Sequence, residues 1–175
     1  MLRLLPLSLV ALIVTAGLAA PASPPQVPDN LKVPAGQDVQ LKLLGKGVQV
    51  YVCKATTGDA SKFEWVLSRP EAGLLDESGA WIGRHFAGPT WEAADGSRVT
   101  GQVLQRSNAP IANAVPWLLL KAISNQGTGT FARVTYIQRV DTVGGQAPAD
   151  GCDKSRAGAE APVDYQATYY FYIPR

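Results

Sequence analysis

The 175-residue chain has one histidine, two cysteines and one methionine, and its charges nearly balance, with 16 basic against 14 acidic residues. Each scarcity removes a class of function. One histidine leaves blue copper without its histidine pair and leaves a zinc site to carboxylates. Two cysteines are too few for a structural zinc site, and their wide spacing is not the C-x-x-C of a redox pair. The scattered charges form neither a nucleic-acid stripe nor a polybasic membrane patch. The longest basic cluster, Arg133 to Arg139, alternates along one segment and reads as a solvated face. No serine sits in a G-x-S-x-G elbow. Gly127-Thr128-Gly129 and Gly144-Gly145 lack the framework of a nucleotide-binding loop. The sequence implies no cofactor, no metal and no catalytic residue.

What is present starts at the N-terminus. One positive charge, Arg3, precedes an uncharged apolar run from Leu4 to Ala20, then small residues. This is the anatomy of a secretory signal peptide, residues 1–22, with Ala20-Pro21-Ala22 as the cleavage site before Ser23. The competing reading is a retained anchor, but the run is barely long enough to span a bilayer and is broken by Pro6 and Gly17. No cysteine near the cleavage region offers a lipid anchor. The expected destination is the periplasm or the extracellular medium. Export in turn favours pairing Cys53 with Cys152, because oxidising compartments form and keep disulfides. Residues 23–33, with Pro24, Pro25 and Pro28, read as a flexible lead-in, and 34–175 as one domain.

Period-two alternation dominates that domain. Val39, Leu41 and Leu43 alternate with polar residues, as do Val48, Val50 and Val52, and Gly45-Lys46-Gly47 between them predicts a hairpin turn. Phe63–Leu67 is a short strand candidate. Asp76-Glu77-Ser78-Gly79 and Asp95-Gly96-Ser97 read as turns, with Arg98–Leu104 alternating after the second. Val115–Ile123 fits a short helix or a strand buried on both faces, and its strand neighbours favour the strand. In Phe131–Val140, Arg133, Thr135 and Arg139 fall opposite Val134, Tyr136 and Val140. The last segment is the clearest: Val163, Tyr165, Ala167, Tyr169, Phe171 and Ile173 share one face. The predicted fold is all-β and mostly antiparallel, a single-domain sandwich or small barrel with long loops. An outer-membrane barrel would need regular ten-residue alternating segments throughout, and these are missing.

Functional-looking residues concentrate between Trp81 and Asp95, a stretch read as a loop. It holds the only histidine, His85, two of the four tryptophans, Trp81 and Trp91, and the carboxylates Glu92 and Asp95. Tryptophan faces stack on sugar rings while polar groups fix orientation, so this stretch, with Arg139 from a nearby strand, is the candidate ligand site. The plainer alternative has the tryptophans filling the core and His85 bonded to backbone. Glu92 and Asp95, being near these tryptophans, are also the candidate carboxylates for a glycan hydrolase. Three functions follow: an exported non-catalytic module binding a small molecule, glycan or protein; a secreted hydrolase using Glu92 and Asp95; or a structural cell-envelope protein. Nucleic-acid partners are not expected, nor membrane contact after cleavage of the signal.

Several patterns recur in an order that fits a known family. They are Gly47-Val48-Gln49-x-Tyr51-x-Cys53, Gly88-Pro89-Thr90-Trp91-Glu92, Pro116-Trp117-Leu118-Leu119-Leu120, Gln138-Arg139-Val140-x-Thr142-x-Gly144-Gly145, Cys152 and Tyr165-x-Ala167-x-Tyr169. Over about Val33 to Tyr172 the chain resembles the secreted family called domain of unknown function 3455. That resemblance implies a secreted one-domain protein and carries over no activity and no site residue.

Overall fold

The computed structural model describes residues 22–175, so the signal segment, apart from Ala22, lies outside the described residues. Eight antiparallel strands form a closed barrel in chain order. They are β1 (Gln37–Thr56), β2 (Asp59–Leu75), β3 (Trp81–Phe86), β4 (Thr90–Ala93), β5 (Arg98–Ser107), β6 (Trp117–Gln126), β7 (Tyr136–Gly144) and β8 (Glu160–Pro174). β1 closes the barrel by pairing β8 from Gln37↔Pro174 to Val52↔Glu160. The only helical pieces among the described residues are 3-10 turns at Asp29–Leu31 and Lys154–Arg156.

β1 runs straight through the glycines expected to turn it. Neither Gly45 nor Gly47 has left-handed backbone. Both are glycine because the barrel is tight there. A Cβ on Gly45 would lie 2.5 Å from the Tyr169 ring, and one on Gly47 would lie 2.1 Å from the Glu71 carbonyl. Side-chain volume, not chain reversal, selects them. The real turn is at Thr57-Gly58, where φ is +92° at Gly58.

The expected Trp81–Asp95 loop is instead the β3–β4 hairpin, reversed at Ala87–Pro89. The Val115–Ile123 run contributes most of β6, a strand, as its neighbours suggested. β7 begins at Tyr136, later than the alternation implied. The expected alternation holds, with Tyr136 and Val140 on one face and Arg139 on the other, but the inner and outer sides are exchanged. Ile137 is in the interior cluster, Gln138 bonds to the lead-in outside, and Arg139 therefore points inward. It is no part of a solvated face.

The interior is filled. Leu43, Leu74, Trp91, Val99, Leu120, Ile137 and Phe171 are fully or almost fully buried within one cluster. Phe131 and Val134, from the connection after β6, join it at one end, and Val115, from the connection after β5, joins it too. A second cluster lies outside the wall, where Val39, Val140, Tyr170 and Tyr172 pack with Val27 and Val33. The Pro-rich lead-in is thus laid against the barrel. Gln138 Nε2 donates to the Leu31 carbonyl at 2.6 Å, and Asn30 Nδ2 to the Arg106 carbonyl at 3.1 Å. This explains why β8 carries buried aromatic residues on both faces.

Cys53 and Cys152 form a disulfide spanning 99 residues. It ties the far half of β1 to the long β7–β8 connection. Cys53 N–H donates to the Ala159 carbonyl and Gly158 N–H to the Cys53 carbonyl, each at 2.9 Å. Loop-closure entropy puts such a link at about 4–5 kcal/mol. The Cys53→Ala/Cys152→Ala double variant is therefore expected to lose about that much in urea unfolding. Its amide exchange should rise first in 53–69 and 147–159.

Candidate functional site

The six residues singled out from the sequence occupy three places. His85, Trp91 and Arg139 point into the barrel. Neighbouring strands set His85 opposite Trp91, and the two rings stack at 4.4 Å with 9° between planes. Tyr169 meets both edge-on, at 5.2 and 5.6 Å. His85 Nδ1 lies 2.9 Å from the Thr90 carbonyl, so the neutral ring donates from that nitrogen. Burial lowers its pKa to about 3, and the positive charge of Arg139 pushes the same way. With 3% and 1% exposure, His85 and Trp91 are core residues, and the histidine satisfies a backbone group.

Arg139 sits opposite Tyr169 on β8 and donates from Nε and Nη2 to the Pro116 carbonyl at 3.1 and 2.8 Å. It thereby holds the end of the β5–β6 connection to the neighbouring strand. Around it the packing is polar. The Tyr165 and Tyr169 hydroxyls are 3.2 Å apart, and Tyr51 donates to the Gly145 carbonyl at 2.6 Å. Gln49 is buried with its Nε2 unpartnered among the described residues.

Asp95 lies at the opposite end of the barrel, in the β4–β5 turn. One oxygen accepts from Ser97 N–H at 2.8 Å, and the other accepts from both the N–H and the hydroxyl of Thr130 at 2.7 Å. These bonds hold its carboxyl far below the usual carboxylate range. Asp95 is thus a clasp on the connection that inserts Phe131. The turn signal at Asp95-Gly96-Ser97 was legible in sequence, whereas its bonding to Thr130, 35 residues away, was not.

Trp81 and Glu92 remain on the outer wall. Trp81 is 58% exposed, the most exposed tryptophan of the barrel wall, and its indole lies over Gly73, 3.8 Å from where a Cβ would be. Pairing registers set a row of outward residues on successive strands: Gln166, Lys46, Gly73, Arg84, Glu92 and Arg98. Arg84 and Arg98 both grip Glu92, with Arg84 Nη2 at 2.8 Å. Burial raises the Glu92 pKa, but the two guanidiniums outweigh it and hold the carboxyl below its ordinary value. Arg84 also lies over the Phe86 ring, 5.1 Å from its centroid. Beside Lys46 the wall opens into a groove of about 310 Å³ between Val48, Val143, Asp164 and Gln166. Sequence reasoning missed Lys46, Gly73 and this groove. Their only local signal was a glycine pair that reads equally well as a turn.

This wall presents a flat apolar face, three cations and one neutralised carboxylate. It can stack on a ring and hold polar or anionic groups. Glu92 and Asp95 are both held ionised, so neither keeps a proton to donate at neutral pH. No group of three metal-ligating side chains occurs among the described residues.

The interior predicts two outcomes. Trp91→Ala should cost about 3–5 kcal/mol of stability, since it empties the centre of the core. The histidine gives a pH dependence of fixed sign. Its folded pKa of about 3 is below the free value of 6.5, so the unfolded chain takes the proton first. Its contribution is complete above pH 6.5 and drains as pH falls towards 3, by up to about 1.4 kcal/mol per pH unit. In urea titrations at pH 7, 5 and 4, His85→Gln should lose that part of the slope. Equal slopes in both proteins would show that burial does not exclude the proton.

Comparison with known proteins follows the same chain. No curated protein and no solved structure matches it significantly. A family described as "Protein of unknown function (DUF3455)" matches residues 34–81 and 77–173, nearly the whole barrel. The chain belongs to the DUF3455 family.

Proposed function

We propose that this protein is an exported, non-catalytic binding module that takes a carbohydrate on its outer wall, with Trp81 as the stacking platform and Lys46 and Arg84 as the polar anchors. The observation that carries this reading is the exposure of Trp81. A tryptophan left in water over a glycine, between two cations, has the form of a ring-stacking site. The filled interior supports it from the other side. A small barrel holds a ligand inside only where its inward side chains leave room, and here Trp91, Tyr169 and Phe171 occupy that space. The neighbouring groove along Val48 and Val143 extends the platform to a length suited to several linked sugars.

Export rests on the N-terminal apolar run and the disulfide. The polarity of the wall, with Lys46, Arg84, Glu92 and Arg98 outside and the apolar cluster inside, is the reverse of a lipid-spanning barrel. Hydrolysis by Glu92 and Asp95 draws no support from two ionised carboxylates clamped by other partners. A purely structural role would bury Trp81 along with Trp91 and His85.

The test is calorimetric titration with neutral and uronate-bearing oligosaccharides. Trp81→Ala should weaken binding at least tenfold, while an exposed change of this kind should alter stability by no more than about 0.5 kcal/mol. Wild-type protein that binds no sugar, or a Trp81→Ala variant that binds as well as wild type, would sink the proposal.

A further inference from the structure

Sixteen glycines lie among the described residues, and the fold accounts for fifteen of them. Ten have left-handed backbone, and at five more a Cβ would stand only 2.1–3.2 Å from a neighbouring atom. Gly73, within β2, is the exception. Its backbone is not left-handed, and a Cβ there would meet only Trp81, at an ordinary 3.8 Å from Cδ1 and 3.9 Å from Nε1. A glycine inside a strand weakens it, and one that neither turn nor packing demands marks close approach by a ligand or another backbone. Trp81 does not supply the reason, since it reaches this position with one edge and stays 58% exposed.

The missing side chain leaves a notch in the outer wall. Cross-strand pairing sets Lys46 on one side of it and Arg84 on the other. The edge of Trp81 that overhangs it carries the indole N–H. Lys46 makes no ion pair among the described residues. Arg84 gives Nε and Nη2 to Glu92 and keeps Nη1. The nearby carboxylates are engaged: Glu92 by Arg84 and Arg98, and Glu71, two residues along β2, by Arg69 Nε at 2.6 Å. Asp164 lies on β8, on the far side of β1 from Gly73. N–H donors and positive charge thus surround a position that has no side chain.

We propose that this notch seats the anionic group of an acidic sugar, a uronate carboxylate or a sulfate, whose ring stacks on Trp81. The inference rests on the carbohydrate-binding reading above and adds the class of sugar. Gly73 lets the anionic oxygens reach the wall where any side chain would stand. Lys46 and the indole N–H of Trp81 donate to them, and charge-assisted bonds of this kind are the strong ones. Arg84 adds positive charge from the other side. The groove beyond Lys46, with Asp164 on its wall, repels a second acid and takes the uncharged units of the chain.

The test is calorimetric titration of the disulfide-bonded protein with three oligosaccharides of one length: neutral, uronate-bearing and sulfated. Wild type should bind an acidic form about tenfold tighter than the neutral one, and added salt should shrink that ratio. Tighter binding of only one acidic form identifies the group. Gly73→Ala and Lys46→Gln should each bring the ratio to within about twofold of one. The urea midpoint of Gly73→Ala should equal or exceed that of wild type, because the methyl has room and the unfolded chain loses freedom. A lower midpoint would mean that the fold itself needs the glycine, and it overturns the inference. So does a Gly73→Ala variant that keeps the preference. Equal binding of all three sugars, lost in Trp81→Ala, overturns the acidic subsite and leaves the stacking site standing. Binding of none overturns both.

Discussion

Tyr169 sits at the centre of the interior, edge-on to His85 and Trp91, and its ring reaches over Gly45, which pairs with Ala167 across the β1–β8 seam. The barrel closes only because β1 can approach that ring. A Cβ at position 45 would lie 2.5 Å from it, and β1 and β2 make a similar close approach where Gly47 faces Ala72. Closure then removes both edges of the sheet wherever the strands overlap, and their stagger leaves one stretch of β2 bare. The filled interior, the complete wall and the overhanging hairpin are consequences of one seam packed around one aromatic ring.

Filling the interior decides where chemistry can take place. In a strand, neighbouring residues face opposite ways, so a run of functional-looking residues is divided between core and solvent. His85 goes in and Arg84 goes out; Trp91 goes in and Glu92 goes out. The stretch that looks like one site in sequence is a core stack on one side of the wall and a charged row on the other. Arg84 and Arg98 can share Glu92 because three adjacent strands bring them into register. The residues available to a ligand are those facing away from the stack, and Trp81 is the exposed tryptophan among them.

Much of the fold is legible in sequence, for physical reasons that also explain the failures. The alternation from Val163 to Ile173 survives because β1 pairs β8 from Glu160 to Pro174 and β7 flanks it from Tyr165 to Tyr172, and Asp76 and Asp95 announce turns through bonds to residues two further on. Gly45-Lys46-Gly47 misleads because a glycine needed for close approach and a glycine needed for a turn look alike locally. The distinction lies with Tyr169 and Glu71, which are distant in sequence. Arg139 misleads because alternation shows which residues share a face but not which face is inward, and here the lead-in covers the side of Tyr136 and Val140. The outer face of β8 mixes Asp164, Gln166 and Thr168 with Tyr170 and Tyr172, and it takes the lead-in to explain the burial of the two tyrosines. For the candidate site, sequence supplied Trp81 and Glu92 but could not separate them from His85 and Trp91. The separation is made by the β3–β4 hairpin.

The disulfide makes most sense in light of the overhang. The barrel's own strands are stitched to their neighbours around the whole circumference, and an extra covalent link would add little to their order. Beyond Val52, β8 no longer pairs with β1, and from Glu71 back to Asp59 β3 does not pair with β2. A two-stranded ribbon of that kind is marginal alone in water. Cys152 reaches it at Cys53, and the connection around it adds bonds at Gly158, Ala159 and Asp150. The long β7–β8 connection and the one covalent cross-link both act on the segment the barrel leaves unsupported. Ordering that segment costs chain entropy that the core does not recover.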